Sequence, residues 1–289
     1  MKKIEGNMYL GFELEHYEPF EMISNAAIES YRKQARNATV NDLADYIIGQ
    51  IDKKDVIDAK KLAKKIFPQQ QAHVFLSHSH RDEREAIEFA LSLEKRGVEV
   101  FVDSCVWGYV GDLLLKINAH YSDKEEAGGV TNFSYDKCNE VAASLFLMLN
   151  EELHRMIDAT ECFIFFNTQN SVSIKGHEGF AEGDRTLSPW IYSELAFSAK
   201  TRYQLEPRER LPRGIVGAME SHKVQKAMAS ASFAFEIINL HLPKLSGNDM
   251  KSLADKTPHS GFFWLDALYY EHDLESEFIN RCHTAVLKS

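Results

Sequence analysis

Three short, almost wholly apolar runs, separated by segments of helical spacing, constrain the fold of this chain more than any other feature. They are Val74-Phe75-Leu76, Val98-Glu99-Val100-Phe101-Val102 and Cys162-Phe163-Ile164-Phe165-Phe166. Each has the length of a strand and is rich in β-branched or aromatic residues. Between the first two, Ala86, Phe89, Ala90 and Leu93 recur at i, i+3, i+4 and i+7, the stripe of a core-facing helix. Asp82 with Glu85 three positions on reads as a capping-box-like start, and Gly97 as the stop. Before the third run, residues 142–159 carry Leu145, Met148, Leu149, Leu153, Met156 and Ile157 at helical spacing. Strands that lack polar alternation and take turns with helices imply a parallel sheet covered on both faces. The expected fold class is α/β.

A further helix is signalled by Ser188-Pro189-Trp190-Ile191-Tyr192-Ser193-Glu194. Serine is a good N-cap, and proline suits the first helical position because its ring presets φ and its missing N–H would have gone unpaired there. Trp190 and Glu194, four apart, share a helix face. Alone, such a pair is accounted for as well by a packed indole beside a solvated carboxylate; the residues upstream decide between the two.

Val74-Phe75-Leu76-Ser77-His78, Val100-Phe101-Val102-Asp103, Phe163-Ile164-Phe165-Phe166 and Ser188-x-Trp190-x-x-x-Glu194 resemble, in order and spacing, the Toll/interleukin-1 receptor (TIR) domain. The resemblance spans residues 70–240. It implies a flavodoxin-like sheet with helices on both faces and, as in many bacterial, plant and neuronal members, cleavage of NAD+ at its nicotinamide glycosidic bond. It makes Glu194 the catalytic acid, with Trp190 beside it and Ser77, Asp103 and Gly111 bordering the nucleotide. It also implies a homo-oligomer, a partner effector or activator, and a role in stress or antiviral defence. Trp107-Gly108-Tyr109-Val110-Gly111 reads as an exposed loop after Asp103 suited to meeting a second copy. The chain departs from the family in Ile191, where many members carry Cys, and in the long stretch after Asp103.

The chemistry stands on its own terms. Nicotinamide in NAD+ is a cationic pyridinium that leaves as a neutral amine, so its departure needs no general acid. The demand is stabilisation of an oxocarbenium-like ribosyl centre, which one carboxylate can meet. A glutamate of ordinary pKa, about 4.3, is ionised near neutrality unless strongly desolvated. No metal and no further cofactor is called for, NAD+ being the substrate. Hydrolysis, cyclisation and transfer of the ADP-ribose remain alternative outcomes. Two other functions compete: a TIR-like scaffold that binds partners without turnover, and a metal-dependent hydrolase. The latter would use His78-x-His80-x-Asp82, the start of the HxHxDH signature of the metallo-β-lactamase fold, since imidazole and carboxylate are ordinary zinc ligands. Glu83 replaces the last histidine of that signature.

With 289 residues the chain is long enough for one large or two ordinary domains. Its net charge of -10 argues against a nucleic-acid surface. Lys60, Lys61, Lys64 and Lys65 alternate with apolar residues as the wet face of a helix does. Cys105, Cys138, Cys162 and Cys282 are scattered as reduced thiols are, and no stretch reads as a signal peptide or as a run of ~20 apolar residues. The expectation is a cytoplasmic protein, neither exported nor membrane-spanning.

Helical spacing over residues 21–33, 39–51 and 55–67, ending at Pro68-Gln69-Gln70-Gln71, predicts a helical N-terminal extension over residues 1–70. A TIR-like domain over 71–245 and a mostly helical segment over 246–289 follow. Within them, residues 170–187 read as an exposed loop able to act as a lid, 233–240 as a strand, and 262–282 as helix.

Overall fold

The structure, a computed structural model, describes residues 9–36, 44–51, 54–67, 72–121, 124–127, 130–133, 135–174, 183–201 and 233–286. In chain order the elements are β1 (Leu10–Glu15), α1 (Asn25–Arg36), β2 (Ile47–Ile51), β3 (Lys54–Ile57), α2 (Ala59–Ile66), β4 (Val74–Ser77), α3 (Glu83–Glu94), β5 (Val100–Val102) and α4 (Ser104–Tyr121). They continue as β6 (Lys124–Ala127), β7 (Val130–Phe133), α5 (Tyr135–Ala159), β8 (Cys162–Asn167), β9 (Arg185–Thr186), α6 (Pro189–Ser198), β10 (Phe235–Glu236) and β11 (Lys244–Ser246). Three helices close the chain: α7 (Gly247–Lys256), α8 (Phe262–Glu271) and α9 (Leu274–Val286). The chain divides into two compact units, one of residues 1–28, 71–103 and 156–289, the other of 29–70 and 104–155.

The first unit is built on a five-stranded sheet in the order β11-β1-β8-β4-β5, every neighbouring pair parallel. Successive side chains of a strand point to opposite faces. Since every residue of β4 and β8 is buried, and so are residues 10–14 of β1, both faces of these strands are covered. That is why the runs read as continuous apolar segments rather than alternating ones. Register places Phe75 beside both Phe101 and Phe163, and the three rings pack at centroid distances of 5.3 and 5.8 Å. On the other face Phe166 meets Phe89 of α3, and both meet Tyr17. The second unit holds the antiparallel pairs β2-β3 and β6-β7 with α2, α4 and most of α5.

The N-terminal reading requires correction. The described part of residues 1–70 is not a wholly helical extension: α1 and α2 form within the expected 21–33 and 55–67 segments or beside them, but Leu10–Glu15 is an inner strand of the main sheet, hydrogen-bonded in register between β8 and β11. Leu10, Phe12 and Leu14 are the apolar half of an alternation whose other half, Gly11 and Glu13, is also buried, against Leu242 and Phe163 for Gly11 and against polar partners for Glu13. Residues 47–51 and 55–57, expected to be helical, instead belong to the paired strands β2 and β3, and helix within 55–67 is confined to Ala59–Ile66, capped by Asp58. The boundary at 245/246 falls inside β11. The 39–43 part of the expected second helix and the break at 68–71 lie outside the described residues. Asp82 precedes α3 but makes no side-chain cap. The stretch after Asp103 is not a loop: α4 starts at Ser104. The strand expected at 233–240 is reduced to Phe235–Glu236, paired with β9 inside the expected 170–187 loop, of which 175–182 lie outside the described residues. Helix α5, the strand β8, and the α8-α9 pair over 262–282 form where the spacing placed them. No helix of the described residues is long and apolar enough to cross a membrane.

Candidate active site

Parallel strands deliver their C-terminal ends to one edge of a sheet, where the ligand crevices of open α/β folds lie. At that edge β4 ends in Ser77, with His78 next, and β5 runs directly into Asp103. Leu76 pairs with Val102, so Ser77 and Asp103 stand side by side one residue further along. Helix α6 brings the fourth group. Ser188 caps it by accepting a hydrogen bond from the Ile191 N–H at 3.3 Å, with Pro189 in the first turn. Its buried stripe is Ile191, Glu194, Leu195 and Ser198, so Glu194 points into the protein rather than into solvent.

Ser77, His78, Asp103 and Glu194 are all buried, Glu194 completely. The Ser77 hydroxyl donates to Glu194 Oε2 at 2.5 Å across 117 residues of sequence. His78 Nδ1 lies 2.9 Å from Asp103 Oδ1 and 3.2 Å from the Leu76 carbonyl. Asp103, next to Ser77 by register, is near enough for its carboxyl to act on that of Glu194. Burial, and then the negative charge of Asp103, push the Glu194 carboxyl well above the ordinary range. For His78 burial opposes the charged form, but the Asp103 carboxylate, aided by Asp82, outweighs it and the imidazole is raised. The arrangement thus disfavours charge on Glu194 and favours it on His78. The strong desolvation of Glu194 meets the condition under which its ordinary pKa no longer implies an ionised side chain.

The structure thus gathers Ser77, Asp103 and Glu194 and adds His78. Trp190 sits half-buried one turn before Glu194 on α6. Gly111 belongs to the other unit, exposed within α4 rather than in a loop, with open space where a Cβ would stand. The side chains of residues 105–110, including Trp107 and Tyr109, are outside the described ones. The residues of the metal reading do not converge. His78 faces Asp103, while His80 is exposed near Glu83. Asp82 accepts from Thr168 Oγ1 and Asn170 Nδ2, both at 2.5 Å. Among the described residues no cluster of three or more His, Cys, Asp or Glu side chains could hold a metal.

One feature of this edge escapes the sequence altogether. Lys244, Glu13, Phe165 and Ser77 are register partners across β11, β1, β8 and β4, and their side chains lie on one sheet face. Glu13 is wholly buried, bonded to the amides of Asn167 and Asn239 and 3.6 Å from the Lys244 ammonium, which also reaches Glu15 at 2.7 Å. Burial still leaves the Glu13 carboxyl raised. A glutamate between Phe12 and Leu14 reads from the sequence as the solvent-facing half of an alternation; only the strand order shows that Glu13 is interior. Neither protein-family models, nor curated proteins, nor solved structures give a match to this chain.

Proposed function

We propose that this protein is an NAD+ nucleosidase of the TIR type, cleaving the bond between nicotinamide and ribose with Glu194 as its catalytic carboxyl. The observation that carries the reading is the burial of Glu194 at the C-terminal edge of a parallel sheet, in contact with Ser77 and beside Asp103. A carboxyl fixed in a water-poor setting stabilises a developing ribosyl cation strongly in its ionised form, which the approach of a cationic pyridinium nucleotide favours. The order β5-β4-β8 matches the first three positions, 2-1-3, of the flavodoxin-like order 2-1-3-4-5, while β1 takes the fourth position. The flavodoxin-like assignment is in this sense part of the same proposal. NAD+ is the substrate, no metal takes part, and assembly of several copies completes the active form, on which a partner effector or activator acts. The protein acts in the cytoplasm, in stress or antiviral defence.

Purified protein incubated with NAD+ should release free nicotinamide, undiminished by chelators, and specific activity should rise with protein concentration. Absence of nicotinamide over a wide concentration range, with the protein folded, would overturn the reading. The complete burial of Glu194 favours one alternative, a TIR-like scaffold in which the same four groups serve only to lock α6 onto the sheet. In that case Glu194→Gln leaves partner binding and the fold intact and there is no turnover to lose.

A further inference from the structure

Strand β8 ends in a side chain that its neighbours hold in place and leave half satisfied. Asn167 is 6% exposed, and its Nδ2 donates to Glu13 Oε1 and, at 3.5 Å, to Glu15 Oε1. Both carboxyls belong to β1 and are themselves fixed. Glu13 Oε2 accepts from Asn239 Nδ2 at 2.9 Å, and the Lys244 ammonium lies 3.6 Å from Glu13 and 2.7 Å from Glu15. Turning the amide over would set Oδ1 against oxygens already engaged as acceptors, so the network fixes which end of the amide faces β1. Oδ1 is thereby turned away from the β1 carboxyls. It is buried, and no group among the described residues donates to it. A buried acceptor left bare is an exception in folded proteins and carries the full cost of its desolvation.

The position of this acceptor and the charges around it define what it takes. Phe165 of β8 pairs with Ser77 of β4, and Asn167, two residues on, shares the sheet face of Phe165 and Ser77. Asn167 therefore stands one strand spacing, ~4.8 Å, to the side of Ser77 and ~6.6 Å further towards the carboxyl edge. That offset is within the span of one sugar ring bound against the Ser77–Glu194 pair. An anion such as phosphate is disfavoured by Glu13 and Glu15. A metal ion is disfavoured because Lys244 already occupies both carboxyls, and among the described residues no side-chain cluster could hold one. A neutral donor fits. We infer that Asn167 is a ligand-binding residue whose Oδ1 accepts a hydrogen bond from a ribosyl hydroxyl, with Glu13 as the positioning residue that orients the amide. The inference rests on the reading of Glu194 as the group that faces the ribosyl ring of NAD+. It adds a second contact to that ring, from a strand that carries none of the residues implied by the TIR resemblance.

The test titrates the full chain, with carbon-13 in the asparagine side-chain carbonyls, with NAD+ and with three analogues. These lack the 2′ hydroxyl of the nicotinamide ribose, its 3′ hydroxyl, or the nicotinamide carboxamide. Glu194→Gln serves as the background wherever turnover would consume the ligand. The Asn167 carbonyl signal should move on saturation with NAD+. One deoxy analogue should bind roughly 5- to 100-fold more weakly and leave that signal in place. Asn167→Leu, similar in volume but without the acceptor, should bind NAD+ and that analogue equally, because the missing hydroxyl then has no partner to lose. A side chain that only ties β8 to β1 would weaken every ligand alike and leave the discrimination intact, which overturns the inference. An Asn167 signal unmoved by saturating NAD+ also overturns it, as does a loss that follows the carboxamide instead of a hydroxyl. If Asn167→Leu fails to fold, the wild-type signal and the wild-type preference among analogues decide. Nicotinamide release with an unmoved Asn167 signal removes this contact and leaves the cleavage reading standing. A moved signal without nicotinamide release does the reverse, and a folded protein that fails to bind NAD+ at millimolar concentration removes both.

Discussion

At the scale of single residues, the site is a set of compromises between burial and charge. Desolvation, and then the charge of Asp103, raises the Glu194 carboxyl well above its ordinary range, and this alters what Glu194→Gln should do. The amide of Gln mimics the protonated acid, accepting from Ser77 and donating towards Asp103, so the fold should be retained. Turnover of NAD+ should fall roughly 100- to 1000-fold, the usual loss when one preorganised electrostatic group is removed. Near-normal nicotinamide release by the folded variant would remove Glu194 from the chemistry. The pH dependence of folding gives an independent check. An acid whose folded pKa is raised contributes stability that is fully present below its unfolded pKa and lost as pH rises through the folded value. The melting temperature of Glu194→Gln should therefore exceed that of the wild type by a margin that grows from acid to alkaline pH. His241 works in the opposite direction. Its Nε2 hydrogen-bonds Ser198 at 3.0 Å while Nδ1 is buried without a partner among the described residues, and burial pushes its pKa down to about 4. Stability that this histidine provides above its unfolded value of 6.5 should be lost as pH falls through about 4, a span worth about 3 kcal/mol. Thermal unfolding against pH should show this acid limb, and it should flatten in His241→Gln, which retains a donor to Ser198.

At the scale of elements, what the sequence discloses depends on whether an element's neighbours are near in the chain. Helix α6 is legible because Ser188 and Pro189 are local signals, and β4 and β8 because total burial leaves runs with almost no polar residue. Strand β1 is not legible, since Glu13 carries a charge that only Asn167, Asn239 and Lys244, more than 150 residues away, make tolerable inside. The β2-β3 hairpin is hidden because its exposed Ile48 and Ile51 imitate a helical stripe. The same dependence separates two glycines. A Cβ on Gly247, at the start of α7, would meet the backbone of residues 16–18, which cannot yield as a flexible side chain does. Gly247→Ala should destabilise the protein by about 1–3 kcal/mol or more. A Cβ on Gly111, inside α4, meets nothing, and Gly111→Ala should stabilise by roughly 0.5–1 kcal/mol. Denaturant midpoints of the two variants, moving in opposite directions, would confirm the contrast. A weakened KM for NAD+ in a stable Gly111→Ala protein would support a place for Gly111 beside the nucleotide, and an unchanged KM would count against it.

At the scale of the whole molecule, the first and last segments of the chain meet in one sheet. Strand β1 lies between β8 and β11, and α9 packs on β1, so the sheet cannot be completed until residues more than 200 positions apart are together. Loop closure over such separations is slow, and a partial sheet of β8, β4 and β5 would expose the edge that β1 covers. The N-terminal segment is therefore part of the core and not an appendage, which gives the last prediction. Removal of residues 1–20 strips the partner from the whole of one side of β8, including six register pairs from Leu10↔Cys162 to Glu15↔Asn167, and leaves Asn167 and Lys244 without the carboxylates they bind. It also removes Phe12, whose wholly buried ring alone should cost about 3–5 kcal/mol when truncated to alanine, a large share of the roughly 5–15 kcal/mol by which domains are usually stable. The shortened chain should show no cooperative thermal transition, and Phe12→Ala in the full chain should lower the midpoint of denaturant unfolding without abolishing the transition. A dispensable helical extension would give the contrary result, a truncated protein that melts as the full chain does. Glu13→Gln discriminates further, since it keeps the hydrogen-bonding partner of Asn239 while discarding the charge opposite Lys244. A small loss of stability there, against a large one for Glu13→Leu, would show that the interior of β1 is held by hydrogen bonds rather than by the ion pair.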